Sequence, residues 1–209
     1  LVKSRDTGSG TYDRLRNRIV FPIHDLRGRT IAFSGRIIGK GEPKYLNTPE
    51  TPTFSKSRTL YGLFEGRDAI VAKGFALLVE GNFDLVACAQ YGLLNAVAPL
   101  GTAFTKDHAR QLAHFTRKAV IGFDGDLAGQ AAAERTVGIF LGQGFQVNVL
   151  RLAPEHDPDS FLRAEGIQSF RVALRESDSG LEFMIHRAGE RVDLETPRGK
   201  AEALSSLLE

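Results

Sequence analysis

The chain has no tryptophan, one methionine (Met184) and one cysteine (Cys88). A lone cysteine forms no internal disulfide, and no cluster of cysteines and histidines supplies a structural zinc site, so an oxidised scaffold and a zinc-stapled module are both excluded. A reducing cytoplasm is the expected setting. Long apolar runs are also missing: Ala76 to Val79 is closed by Glu80, far short of the roughly 20 residues that cross a bilayer. No signal-peptide pattern opens the chain, and it contains neither an internal repeat nor a low-complexity tract. What remains is 209 residues, 42% apolar and 25% charged, enough for one large or two small globular domains. Disorder, collagen and coiled coil are excluded. Leu1 stands where a Met would, and a helical pattern still runs at Ala201 to Glu209, so the chain is expected to be an excised piece of a longer protein.

Net charge is +2, and its distribution is more informative than its sum. Residues 1–67 hold 13 Lys and Arg against 6 Asp and Glu, whereas residues 68–209 hold 14 against 19. A basic segment therefore precedes an acidic one. Basic segments attract phosphate backbones, and clustered acids call for interleaved cations, either side chains or metal.

The basic segment has the texture of β-structure: Asn17 to Ile23 and Thr30 to Ile38 flank a charged turn at Asp25 to Arg29 that contains Gly28, which predicts strand, turn, strand. Gly39 to Pro52 reads as a long ordered or binding loop. Beyond Asp68, strand candidates at Phe75 to Val79, Leu93 to Pro99, Ala119 to Phe123 and Phe145 to Leu152 alternate with helical patterns at Asp84 to Tyr91, Thr105 to Phe115 and Ala128 to Leu141. Helices of this length between strands imply βαβ crossovers, hence an α/β unit with a mostly parallel sheet and helices on both faces. After Asp159 only helices are expected: Ser160 to Glu165, Ser169 to Glu176, Leu181 to Ala188, and one from Pro197 with Thr196 as its cap. Three subdomains follow: a small basic β-containing one (1–67), the α/β unit (68–159) and a helical one (160–209).

Open parallel sheets bind ligands beyond the carboxyl ends of their strands. Here those ends carry acids: Glu80 with Asp84 one turn on, Asp124-Gly125-Asp126, and a loop with Glu155, Asp157 and Asp159. So many like charges cannot crowd together unneutralised. All-oxygen donors select Mg²⁺ or Mn²⁺ over zinc. Gly81 and Gly125 suit tight turns that let the acids face each other. A simpler reading of Asp124 and Asp126 is that they cap the following helix.

These residues resemble a known family. Glu80-Gly81-Asn82-Phe83-Asp84, about 40 residues before Asp124-Gly125-Asp126, is similar to the Toprim fold, a metal-binding unit of bacterial primases, type IA and type II topoisomerases and some nucleases. Asp157-Pro158-Asp159 resembles the third acidic element of the primases. The likeness to bacterial replicative primases extends through Tyr12 to Ile23, Phe33-Ser34-Gly35-Arg36, Pro43 to Thr51, Phe54 to Gly62, Gln90-Tyr91-Gly92 and Leu100-Gly101-Thr102, nearly the whole chain. Asn82-Phe83 departs from the Tyr and long apolar residue usual in the family.

The resemblance implies template-directed synthesis of short RNA on single-stranded DNA from ribonucleoside triphosphates, with two or more Mg²⁺ or Mn²⁺ ions and an RNA–DNA hybrid as product. Glu80, Asp124 and Asp126 are the implied principal ligands, and Asp84, Asp157 and Asp159 further ones; Glu80 can equally act as general base. Arg14, Arg16, Arg18, Arg36, Lys44, Lys56 and Arg58 are candidates for phosphate contacts and Asn47 for a base, ribose or phosphate. Tyr45 and Tyr61 either stack on a base or close a small core. In the family a zinc-binding domain and a domain contacting the replicative helicase flank this core; neither is in the chain, and no membrane is involved. The competing readings are a topoisomerase or nuclease of the same fold, and a nucleic-acid-binding module without catalysis.

Overall fold

The structure is a computed structural model and describes residues 2–5, 9–192 and 195–208. It opens with a two-stranded antiparallel pair, β1 (Val2–Ser4) and β2 (Thr11–Asp13), followed by an antiparallel sheet of β3 (Arg18–His24), β4 (Thr30–Ile37) and β5 (Tyr45–Asn47). The β3–β4 hairpin is the one expected, closed where Asp25 accepts the amides of Arg27 (2.9 Å) and Arg29 (3.0 Å). The stretch Gly39 to Pro52 differs from the expected loop. Tyr45–Asn47 pairs with Ser34–Arg36, which brings Lys44 and Tyr45 beside Arg36. Three residues are too few for a periodic signal, and cross-strand pairing decides them.

Helix α1 (Leu63–Lys73), which the periodicity did not reveal, runs across the point where the charge balance changes sign. Then come β6 (Ala76–Val79), α2 (Asn82–Gln90), β7 (Ala96–Val97), α3 (Lys106–Leu112), β8 (Lys118–Gly122), α4 (Leu127–Gly142) and β9 (Gln146–Val149). Strands β6 to β9 are parallel, and β10 (Asp178–Ser179) adds an antiparallel edge, giving the order β10-β9-β8-β6-β7. The mostly parallel sheet flanked by helices is as expected, although the strand expected over Leu93 to Pro99 shrinks to two residues. Helix α5 (Pro158–Arg175) is broken at Gly166, whose φ of 76° is non-helical, so the two expected helices are two segments of one element. Helices α6 (Gly180–Gly189) and α7 (Pro197–Leu208) complete the fold; Thr196 caps α7 through the Gly199 amide at 3.0 Å. Glu209, where that helix was expected to continue, lies outside the described residues. Among the described residues no helix is long and apolar enough to cross a membrane.

Side chains on a strand alternate between faces, and β6 is buried on both. Ala76 and Leu78 join a core with Ile121, Val137, Phe140 and Phe183, on the side of α3, α4 and α6. Leu77 and Val79 join Cys88, Leu162 and Phe170, on the side of α2 and α5. A third cluster, Ile23, Ala32, Phe54 and Leu100, ties the N-terminal sheet to the loop after β7, and Tyr61 bridges Ala98 by paired backbone hydrogen bonds of 2.8 and 3.1 Å. The basic and acidic halves are thus one packed body.

The β6/β8 pair anchors that body. Ile121→Ala, at a fully buried β8 position, should cost about 2–5 kcal/mol in urea unfolding, whereas Leu127→Ala, 78% exposed, should stay within about 0.5 kcal/mol. Equal effects would place the core elsewhere.

Candidate metal and nucleic-acid site

The sheet order sets the position of the site. After β6 the chain adds β7 on one side and then crosses to place β8 on the other, so the carboxyl ends of β6 and β8 diverge at a topological switch point. Glu80 follows β6 and Asp124 follows β8, on neighbouring strands in parallel register, with Val79 opposite Gly122. Glu80 Oε1 accepts the Asp124 amide at 3.2 Å, which locks the two loops together. Asp84 sits in the first turn of α2, its Oδ2 accepting the Gly81 amide at 3.0 Å. Asp126 is the N-cap of α4 (Gly129 amide to Oδ1, 2.8 Å) and Asp157 that of α5 (Ser160 amide to Oδ1, 2.6 Å). The capping reading of Asp126 is therefore correct, and it engages one of the two carboxylate oxygens.

The glycines matter here for a different reason from the one expected. Gly81 is extended (φ −132°), which any residue adopts. At Gly125 a Cβ would lie 2.1 Å from the Ala153 carbonyl oxygen, and at Gly129 it would lie 2.2 Å from the Asp124 carbonyl oxygen and 2.9 Å from Glu80 Oε1. Only a residue without a side chain lets the three acidic loops approach this closely.

Crowding shows in the protonation equilibria. Burial, then the neighbouring Asp124 charge, pushes Glu80 up to about 7. Burial, then Asp124 and Asp157, pushes Asp84 up to about 7. Asp124 is raised by burial, Asp157 and Asp126, and opposed by Lys44. Five of the six predicted acids thus act on one another across a half-buried crevice. Asp159 is instead ion-paired to Arg163 at 2.7 Å. Among the described residues no three His, Cys, Asp or Glu side chains already converge as a chelate. Asp84, Asp126 and Asp157 each hold a helix start with one oxygen and keep a second.

The basic residues divide into distinct groups. Lys44 is exposed and acts on Asp124. Arg36 lies 3.8 Å above the Phe83 ring centroid and 5.7 Å from that of Tyr45, whose phenol is raised by burial and feels Asp84. A cleft of about 130 Å³ between β5 and the β6 edge is lined by Tyr45, Asn47, Glu80 and Gly101. Asn47 donates to the Leu100 carbonyl at 3.0 Å while its buried Oδ1 has no partner. Arg18 braces the Lys44 segment, donating to the carbonyls of Pro43 (2.8 Å) and Gly35 (3.0 Å). Lys56 and Arg58 occupy a short helical turn pinned by α3: His108 accepts the Thr105 amide on Nδ1 and donates from Nε2 to the Lys56 carbonyl at 2.8 Å. Tyr61, raised to about 12 by burial, packs edge-on against Phe21, which packs on Phe83. Arg16 lies over Tyr12, and Arg14 is half-buried with an unpartnered Nε. Sequence reasoning missed Phe83 as the platform of Arg36 and Arg18 as a brace; a ring beside the acid motif, at the position that departs from the family pattern, was the available signal for the first.

Comparison with known proteins agrees with this arrangement. Residues 1–67 match the family model described as DNA primase catalytic core, N-terminal domain, and residues 77–162 match one described as Toprim-like. DNA primase of Pseudomonas aeruginosa is 43% identical over 96% of this chain and 31% of its own length. The zinc-binding and RNA polymerase domains of Aquifex aeolicus primase superpose with a TM-score of 0.86 at 39% identity, over 96% of this chain and 49% of that one. The RNA polymerase domain of Mycobacterium tuberculosis primase, in complex with a double-stranded DNA oligomer with a 6-nucleotide overhang, gives 0.78 at 30% identity, over 99% of this chain and 67% of that one. The chain spans about a third of the length of the curated relatives it matches. It belongs to the bacterial DNA primase family and corresponds to part of the catalytic core, including its Toprim unit.

Proposed function

We propose that this chain carries the nucleotidyl-transfer site of a bacterial primase, which builds short RNA on a single-stranded DNA template from ribonucleoside triphosphates. The observation that carries the reading is the meeting, at one switch point, of mutually repelling oxygen donors with Lys44 and Arg36 from the basic sheet. The donors fit Mg²⁺ or Mn²⁺: they are all carboxylates, half-buried except for the exposed Asp126 and short of neutralising charge except for Asp159, and at least two keep an oxygen free of the helix caps. Glu80, Asp124 and Asp126 would hold the ions, with Asp84, Asp157 and Asp159 around them. When bound, two such ions stabilise both the attacking and the leaving oxygen of an in-line displacement at phosphorus.

The chain's own residues do the rest. Lys44, exposed beside Asp124, is placed to meet a triphosphate oxygen, and Arg36, oriented by Phe83, to meet a second phosphate. Asn47 offers a polar group to the nucleotide in the cleft beside Glu80, and Tyr45 forms one wall. Lys56 and Arg58, on the turn pinned by His108, suit the template backbone. Arg14, Arg16 and Arg18 act as a bracing and peripheral set. Glu80, near neutral in proton affinity, can take the proton of a 3′-hydroxyl in place of a ligand role. The zinc-binding domain and the replicative helicase would act through regions outside this chain, in the bacterial cytoplasm.

Glu80→Ala or Asp124→Ala should abolish primer synthesis, read as ribonucleotide incorporation on single-stranded DNA with Mn²⁺, while DNA affinity changes less than about twofold. Parallel loss of binding contradicts separate roles. Lys56→Ala and Arg58→Ala, on the turn assigned to the template backbone, should weaken single-stranded DNA binding and reduce the slope of log affinity against log salt by about 0.7 each, the value for one single-strand phosphate contact. An unchanged slope makes them plain surface charges.

The electrostatics give a further expectation. Glu80 and Asp84 ordinarily titrate at 4.5 and 3.8 and are raised to about 7. Through that window the folded state binds more protons than the unfolded state, so metal-free stability falls as pH rises. Thermal melting in EDTA should show this decline from about pH 5 to 7.5, and Mn²⁺ should reverse it most at the upper end. Glu80→Gln should shrink both effects. Metal-free stability that rises across the window contradicts the crowded-acid description.

A further inference from the structure

Helix α6 lies beyond the Toprim-like match, yet it reaches the Asp124-Gly125-Asp126 loop. A cavity of about 150 Å³, lined by Phe123, Gly125, Leu152, Phe183 and Arg187, separates the two, so side-chain packing alone does not hold the loop from this side. A hydrogen-bonded relay spans the gap. Arg187 Nη1 donates to Gln130 Oε1 at 3.0 Å, and Gln130 Nε2 donates to the Gly125 carbonyl at 3.0 Å.

The direction of the relay is unambiguous. A guanidinium only donates, so Gln130 must turn its oxygen to Arg187 and its amide to Gly125. Arg187 is itself fixed: its side chain is 12% exposed, its Nε lies 3.6 Å from Glu134 Oε2, and Nη1 also pairs with Glu190. On the opposite side, the Gly125 amide donates to the His156 carbonyl at 2.9 Å, next to Asp157. The peptide groups of Gly125 are therefore gripped from two sides, and this glycine separates two of the acids. Rotation of the Gly125 carbonyl would swing Asp124 and Asp126 relative to each other.

We propose that Gln130 and Arg187 are positioning residues, a relay through which helix α6 sets the pose of the Asp124-Gly125-Asp126 loop and hence its affinity for a divalent cation. This rests on the reading of Asp124 and Asp126 as cation ligands. Neither positioning residue touches cation or substrate. They act through the Gly125 backbone.

The test measures Mn²⁺ binding directly, from the electron paramagnetic resonance signal of free Mn²⁺, for the unaltered chain, Gln130→Met, Arg187→Met and the double variant, with melting in EDTA as a check on folding. Gln130→Met should weaken Mn²⁺ binding about tenfold, the size typical of removing a group that orients a ligand. Arg187→Met should weaken it less, because the Gln130 bond to Gly125 survives, and the double variant should be no weaker than Gln130→Met alone, as two links in series require. Primer synthesis by Gln130→Met should recover at saturating Mn²⁺. Unchanged Mn²⁺ affinity with only a lower melting temperature overturns the relay, as do additive losses. If the unaltered chain binds no Mn²⁺, the cation reading falls and the relay with it; if the unaltered chain binds and Gln130→Met binds equally well, the relay alone falls.

Discussion

Like-charged carboxylates repelling one another in a half-buried crevice are the constraint on which the rest of this molecule depends. Glu80, Asp84, Asp124, Asp126 and Asp157 come from three loops at one sheet edge, and burial of Glu80, Asp84 and Asp124 adds to the repulsion those three feel. Such a cluster persists only if the surrounding fold holds it in place. That hold comes from β6 and β8, adjacent, parallel and buried on both faces, and from helix starts that each use one acid as a cap. The close approach of the loops requires Gly125 and Gly129, where a single added carbon would collide with backbone oxygens. The electrostatic cost of the cluster is the reason to look for a cation as its complement.

The split of charge along the chain acquires a spatial meaning from the same edge. The N-terminal sheet is seated on the α/β unit through Leu100 in its small core and through the Phe21, Tyr61 and Phe83 rings at the seam. Phe83 also carries the Arg36 guanidinium, a favourable contact between a cation and a ring face. Arg18 ties down the carbonyls beside Lys44, so a cation of the basic half is delivered next to Asp124. On the proposed reading, the positive half would supply phosphate contacts and the negative half cation ligands, and neither would form the site alone.

Much of this was legible in the residues themselves. The acids at strand ends could be located because buried parallel strands read as short apolar runs, and the carboxyl edge is where such sheets bind ligands. The β3–β4 hairpin and the break at Gly166 were legible for the same kind of local reason. Strand β5 and helix α1 were not. Tyr45–Asn47 is a strand only because β4 offers it a partner, and α1 divides its contacts, Phe64 and Arg67 meeting His24 and Leu26 of the N-terminal half while Leu63 and Ile70 join the α/β core. Sequence also could not separate the cations by role: Arg18 and Arg36 look alike as letters, yet one braces backbone carbonyls and the other stacks on the ring of Phe83, the residue before Asp84. Tight turns were expected at Gly81 and Gly125, but Gly81 is extended backbone that any residue adopts, and what Gly125 provides is the close approach of the loops.

The most direct test of the central claim is the position of Mn²⁺ in crystals of this chain soaked with Mn²⁺ and a ribonucleoside triphosphate, located by anomalous scattering. The account predicts manganese between Glu80, Asp124 and Asp126, with the triphosphate extending toward Lys44 and Arg36. Manganese bound only at surface acids, with the crevice closed by side chains of the protein itself, would contradict it.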